Sequence, residues 1–176
     1  MKLLKLIICL LFFIRFIIGQ SDIFLFKNIS VKDGLSESNV NVIFEDYQGF
    51  MYVGTDNGLD IYDGYSFKSY YTNSFDENSI LGSKVNLIYE DLNNLIWIGT
   101  DMGVSTFNPL TNTFSRPFDS KINFDFFSSI EKIFERKDDK YIFKSNTNNY
   151  IYIYDEKIDS VFCINCNSIV LPANVI

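Results

Sequence analysis

Residues Val40 to Gly58 align without a gap on Val85 to Gly103, every partner 45 positions further on. Glu45-Asp46 falls on Glu90-Asp91, Tyr52 on Trp97, Gly54-Thr55-Asp56 on Gly99-Thr100-Asp101, and Tyr62 on Phe107. A third, eroded copy follows at the same interval, with Ile130, Ile133, Glu135, Ile142, Ser145 and Tyr152 in the places of Val40, Ile43, Glu45, Tyr52, Thr55 and Tyr62. It has lost the Gly-Thr pair and the Trp or Tyr before it. A fixed period of this length means that one supersecondary unit is stacked on copies of itself, because a single unit cannot bury its apolar face alone.

Within one copy the pattern is strand and turn, four times over. Val40 to Glu45 is apolar, and Asp46-Tyr47-Gln48-Gly49 places Asp first and Gly fourth, as a type I turn prefers. Phe50 to Thr55 reads as a second strand, Thr55-Asp56-Asn57-Gly58 as a turn, Leu59 to Tyr62 as a third strand, Asp63-Gly64 as a hairpin signal and Phe67 to Thr72 as a fourth strand. Eighteen Phe and 11 Tyr against three Pro suit sheet better than disorder. Four antiparallel strands in 40 to 45 residues make one propeller blade. A β-sandwich is the rival all-β layout, but it has no reason to repeat Gly-Thr-Asp-x-Gly at a constant interval.

The repeated residues read first as blade-building devices. Gly54 and Gly99 lie inside strands, where glycine marks a bulge or a close backbone approach; Gly49, Gly58 and Gly103 serve turns. Tyr52 and Trp97 read as packing between blades. Asp46 and Asp91 bond nearby backbone amides, and Thr55 and Thr100 cap the turns that follow them. Paired carboxylates at 45-46 and 90-91 also suit acid-base work or calcium, but a motif present in each blade argues for construction over one catalytic centre.

These residues resemble the two-component regulator propeller repeat. Asp33-Gly34-Leu35-Ser36, Glu45-Asp46, Gly49-Phe50, Tyr52-Val53-Gly54-Thr55, Gly58-Leu59 and Tyr62-Asp63-Gly64 carry the resemblance, over residues 24–118 well and 130–155 weakly. It implies the periplasmic sensor region of a hybrid two-component histidine kinase, whose tandem propellers recognise a ligand, commonly an oligosaccharide. Full members continue into further blades, a Tyr-rich sandwich, a membrane helix and a kinase, so the resemblance implies a truncated front piece of a longer sensor.

The expected fold is therefore all-β, a partial propeller of roughly 3.5 four-stranded blades where propellers close with four to eight. Residues 1–19 read as a signal peptide, with Lys2 and Lys5 ahead of the apolar run Leu6 to Ile18, which is short for a membrane span and interrupted by Arg15. Residues 20–36 read as an outer strand (Asp22 to Ile29) and linker of an incomplete blade. Blades follow at 37–78, 79–124 and, degenerate, 125–168, with the start of a truncated blade at 169–176. The leader implies a periplasmic or extracellular product; a retained membrane anchor is the lesser alternative.

Chemistry is narrowed by what is missing. No residue of the 176 is histidine, so there is no Ser-His-Asp triad and no phosphoacceptor histidine; a quinoprotein or lyase on a propeller is correspondingly disfavoured. A formal charge of −7 opposes nucleic acid. Cys163 and Cys166 face opposite sides of an expected strand and read as ordinary strand residues. No catalytic residue, metal or cofactor is expected. Tyr47, Tyr65 and Asp56 are loop residues of types that stack on sugars or bond their hydroxyls, but among 29 Phe and Tyr they do not define a site. The expected partners are an oligosaccharide, and either the remainder of the propeller or a second copy meeting open blade edges. The alternative function is a secreted interaction or structural protein.

Overall fold

A computed structural model describes residues 26–118, 130–136, 140–145, 151–158 and 160–164. They form three four-stranded antiparallel sheets in sequence order. The first holds β1 (Val40–Glu45), β2 (Met51–Thr55), β3 (Gly58–Tyr62) and β4 (Phe67–Tyr70). The second holds β5 (Val85–Glu90), β6 (Ile96–Thr100), β7 (Gly103–Asn108) and β8 (Thr113–Ser115). The third holds β9 (Ile130–Arg136), β10 (Lys140–Ser145), β11 (Ile151–Asp155) and β12 (Ser160–Ile164). Their first strands meet, β1 on β5 and β5 on β9. The sheets thus fan from their first strands as propeller blades do.

Each sheet repeats one irregularity. The register slips between Val40 and Val42 opposite Thr55 and Gly54, between Val85 and Leu87 opposite Thr100 and Gly99, and between Ile130 and Lys132 opposite Ser145 and Lys144. A bulge at the same rung increases the local twist in every copy, which helps successive sheets meet at a common angle.

Alternation along the strands sends side chains to two neighbours. Tyr52 and Leu59 of the first sheet pack with Val85, Ile88, Ile96, Ile98, Phe107 and Phe114 of the second, with Ile80 from the connection beneath them. On the other face of the second sheet, Trp97 and Val104 pack with Ile130, Ile133, Tyr141, Phe143, Tyr152, Tyr154 and Val161 of the third. All five residues of β6 are buried because this sheet is covered on both sides.

Some boundaries differ from the sequence reading. Phe26–Ser30 have no regular structure and Val31–Asp33 form a 3-10 turn, so the described half of Asp22 to Ile29 is not a strand. An outer strand exists only as a rung of a ladder, and no described strand pairs with this segment. The fourth strand ends at Tyr70 rather than Thr72, which instead bridges in parallel to Ile80 in the inter-blade connection. The second strand starts at Met51, since Phe50 donates no rung and instead closes the preceding turn. The expected leader, Cys166 and residues 169–176 lie outside the described residues.

Candidate functional site

The joints between sheets are built from the repeated residues. Asp46 Oδ1 accepts from the amides of Gln48 (3.0 Å) and Phe50 (2.9 Å), and Asp91 Oδ1 from those of Asn93 (2.9 Å) and Leu95 (2.8 Å). Each carboxylate organises the turn that follows it. The turn's last residue takes positive φ, 88° at Gly49 and 62° at Asn94, the left-handed region that glycine and asparagine tolerate. The second oxygen of Asp91 faces inward, accepting from Trp97 Nε1 at 2.9 Å and from Tyr141 OH of the third sheet at 3.1 Å. Tyr52 takes the place beside Asp46 that Trp97 takes beside Asp91, and burial first, then the Asp46 charge, pushes its phenol well above its usual range.

Gly54 is the point of closest approach between the first two sheets. A Cβ there would lie 2.6 Å from Cγ1 of both Val42 and Val85. At Gly99 the nearest atom is Leu87 Cβ at 3.0 Å, within the same sheet. Thr55 Oγ1 donates to the Gly58 carbonyl (3.1 Å) and accepts from the Asn57 amide (3.1 Å); Thr100 does the same to Gly103 (2.9 Å) and Met102 (3.2 Å). Each threonine holds closed the turn that Gly58 or Gly103 ends.

Asp60 and Glu90 matter as much. Asp60 is fully buried and accepts from the Ser36 amide (3.0 Å), the Ser36 hydroxyl (2.6 Å) and the Ser69 hydroxyl. It pins the segment before β1 across its own sheet. Ser105 stands 45 positions on and accepts from the Leu81 amide at 3.0 Å, the equivalent of Ser36. Glu90 Oε2 reaches back to the Tyr47 amide of the first sheet at 3.0 Å, while Oε1 is buried without a hydrogen-bond partner. Burial, with the charges of Asp46 and Asp91 nearby, raises its pKa.

Between the first two sheets, on the edge carrying the β1–β2 and β3–β4 turns, lies a groove of about 240 Å³. Phe50, Tyr52, Tyr70 and Phe107 give it aromatic walls, and Gln48, Asp63, Ser66, Lys68 and Asn112 give it polar groups. Lys68 Nζ and Tyr70 OH both donate to Asn112 Oδ1 across the joint, the first at 2.8 Å. Asp63 is held anionic, its pKa lowered by the amides of Ser66 and Tyr65. Tyr47, Tyr65 and Asp56 do not line this groove. Asp56 sits in the β2–β3 turn at the far end of β2, ion-paired to Lys84 at 3.1 Å. Among the described residues no three His, Cys, Asp or Glu side chains are grouped to hold a metal.

With this geometry in hand, known proteins can be compared. The two-component regulator propeller family matches residues 34–57, from the Asp60-pinned segment through β1 and β2 to the Thr55 turn. A histidine kinase of Formosa agariphila is 44% identical over 62 residues, which is 35% of this chain and 4% of that protein. The extracellular domain assigned to a hybrid two-component system of B. thetaiotaomicron matches with TM-score 0.64 and 26% identity over 77% of this chain. A second extracellular domain from that organism, assigned to a one-component system, matches with TM-score 0.60 and 19% identity over 76% of the chain, a likeness of fold alone. This chain spans 19% of either solved domain. The chain is thus similar, over most of its length, to an extracellular domain of a two-component system. No helix among its described residues is long and apolar enough to cross a membrane.

Proposed function

We propose that this chain is an extracytoplasmic ligand-sensing propeller segment of a two-component sensor, that its ligand is an oligosaccharide, and that it performs no kinase chemistry itself. The likeness to an extracellular two-component domain over 77% of the chain carries the reading. The inter-blade groove supports the ligand class: aromatic faces suit the C–H faces of sugar rings, while Asp63, Ser66, Gln48 and Asn112 offer acceptors and donors for hydroxyls. The sensing segment would then be the front of a longer signalling system, with phosphotransfer left to parts of that system beyond these 176 residues, none of which is histidine.

Titration calorimetry of the purified chain against a panel of plant and algal oligosaccharides tests this. One class is expected to bind, and Asn112→Ala is expected to weaken it by about tenfold, the equivalent of roughly 1.4 kcal/mol. A panel without any binder would sink the carbohydrate reading.

A further inference from the structure

Lys68 and Asn112 stand apart from the blade-building residues. Forty-five positions on, their places are taken by Thr113 and Lys157, so the repeat does not reproduce the pair. The two come from neighbouring sheets, Lys68 from β4 and Asn112 from the turn before β8, and they meet at the groove of the first joint. Lys68 is the one cation lining that groove.

Their hydrogen bonds fix which atoms face a ligand. An ammonium only donates, so the Asn112 atom that Lys68 Nζ meets at 2.8 Å is the amide oxygen, and Tyr70 OH donates to the same atom. The Asn112 NH2 group is thereby turned away from both and has no partner among the described residues, while Lys68 Nζ keeps two of its three protons free. No carboxylate of the described residues is ion-paired to Lys68; apart from Asn112 it meets the Tyr70 ring, 5.0 Å from Nζ to the centroid. Asp63 is the one carboxylate lining the groove, and its charge is met by its own turn: the amides of Tyr65 (2.8 Å) and Ser66 (2.7 Å) and the Ser66 hydroxyl (3.2 Å) donate to it. This end of the groove therefore sets free donors and an unmatched positive charge beside aromatic faces.

We propose that the oligosaccharide bound in this groove is acidic, and that Lys68 and the Asn112 NH2 group receive an oxyanion carried on a sugar ring, a uronate carboxylate or a sulfate ester. The inference rests on the carbohydrate reading and narrows it. A neutral hydroxyl can accept from the same donors, but it leaves the ammonium's charge unmatched. An oxyanion accepts from both and matches the charge, and a charge-assisted hydrogen bond is roughly twice as strong as a neutral one. The net charge of −7 does not oppose this at short range, because at physiological ionic strength exposed charges more than about 8 Å away are largely screened.

Titration calorimetry of the full chain tests it, with trimers of galacturonate, mannuronate and guluronate, the methyl ester of each, and galactose trimers with and without sulfate; far-UV circular dichroism establishes that each variant is folded. At least one charged sugar is expected to bind about tenfold more tightly than its uncharged counterpart. Preference for a uronate over its ester identifies the anion as a carboxylate, and preference for the sulfated galactose trimer identifies it as a sulfate. Lys68→Gln is expected to bring the charged and uncharged sugars to within about twofold of each other, whereas Lys68→Arg, which keeps the charge, retains the preference. Lys84→Gln, beside the β2–β3 turn at the far end of β2, is expected to leave it unchanged. Uncharged sugars that bind as well as the charged ones, or a preference that survives Lys68→Gln, would overturn the acidic class and leave the carbohydrate reading standing. Failure of every saccharide to bind would overturn both.

Discussion

Asp91 shows how one side chain serves two length scales. Its outer oxygen closes a turn two to four residues away, and its inner oxygen ties Trp97 to Tyr141, 50 residues on. The first role can be read from Asp in a tight turn, because the chemistry is local. The second depends on Tyr141, whose counterparts in the other copies, Met51 and Ile96, have no hydroxyl, so the repeat does not advertise it. Gly54 is a sharper case, since its space is set as much by Val85 of another sheet as by Val42 of its own. Gly54→Ala is expected to cost about 1–3 kcal/mol in urea unfolding through overpacking. In a Val85→Ala background the cost should fall, and additive effects would show that the contact is not the cause. Glu90 supplies a pH test. Its folded pKa is raised above the ordinary carboxylate value of 4.5, so the stability linked to its proton is complete below that value and lost as pH rises through the folded pKa. Glu90→Gln should therefore be more stable than the parent at pH 7, with the advantage shrinking as pH falls through the raised folded pKa and levelling off below about 4.5.

At the scale of elements, the strands were legible because turn residues bracket apolar runs at a constant interval. The ends of strands were less so. Phe67 to Thr72 has the composition of a strand throughout, but Thr72 leaves the ladder to pair with Ile80, a choice fixed by the inter-blade connection and not by its neighbours in sequence. Asp60 was hidden for a related reason. Aligning the copies sets it against Ser105, so a position that performs one task with two residue types looks variable. Asp60→Ala should release the segment carrying Leu35 and Ser36 while the ladders persist. Hydrogen exchange is expected to show loss of protection at the Ser36 amide by at least tenfold, the equivalent of about 1.4 kcal/mol, with little change in β6. Equal loss in both places would mean that Asp60 supports the whole sheet instead.

At the scale of the molecule, stability is a sum over sheets and the joints between them. The first joint combines Tyr52, Leu59 and Phe107 with the Glu90 and Lys84 tethers; the second rests on Trp97 and the aromatic residues of the third sheet. The second sheet belongs to both. Removing the third sheet's hold through Tyr141→Ala should thus lower the denaturation midpoint of the third sheet first, producing two transitions by circular dichroism where the parent shows fewer. A single transition at a lower midpoint would show that the sheets unfold as one unit.

Trp97 gives that question an optical answer. It is the one tryptophan of the chain, 3% exposed, its indole donating to Asp91 at the joint between the second and third sheets. The other joint has tyrosine in its place. Intrinsic tryptophan emission therefore watches a single seam: it should be blue-shifted in the folded protein and move to longer wavelength when that seam admits water, whatever the first joint is doing.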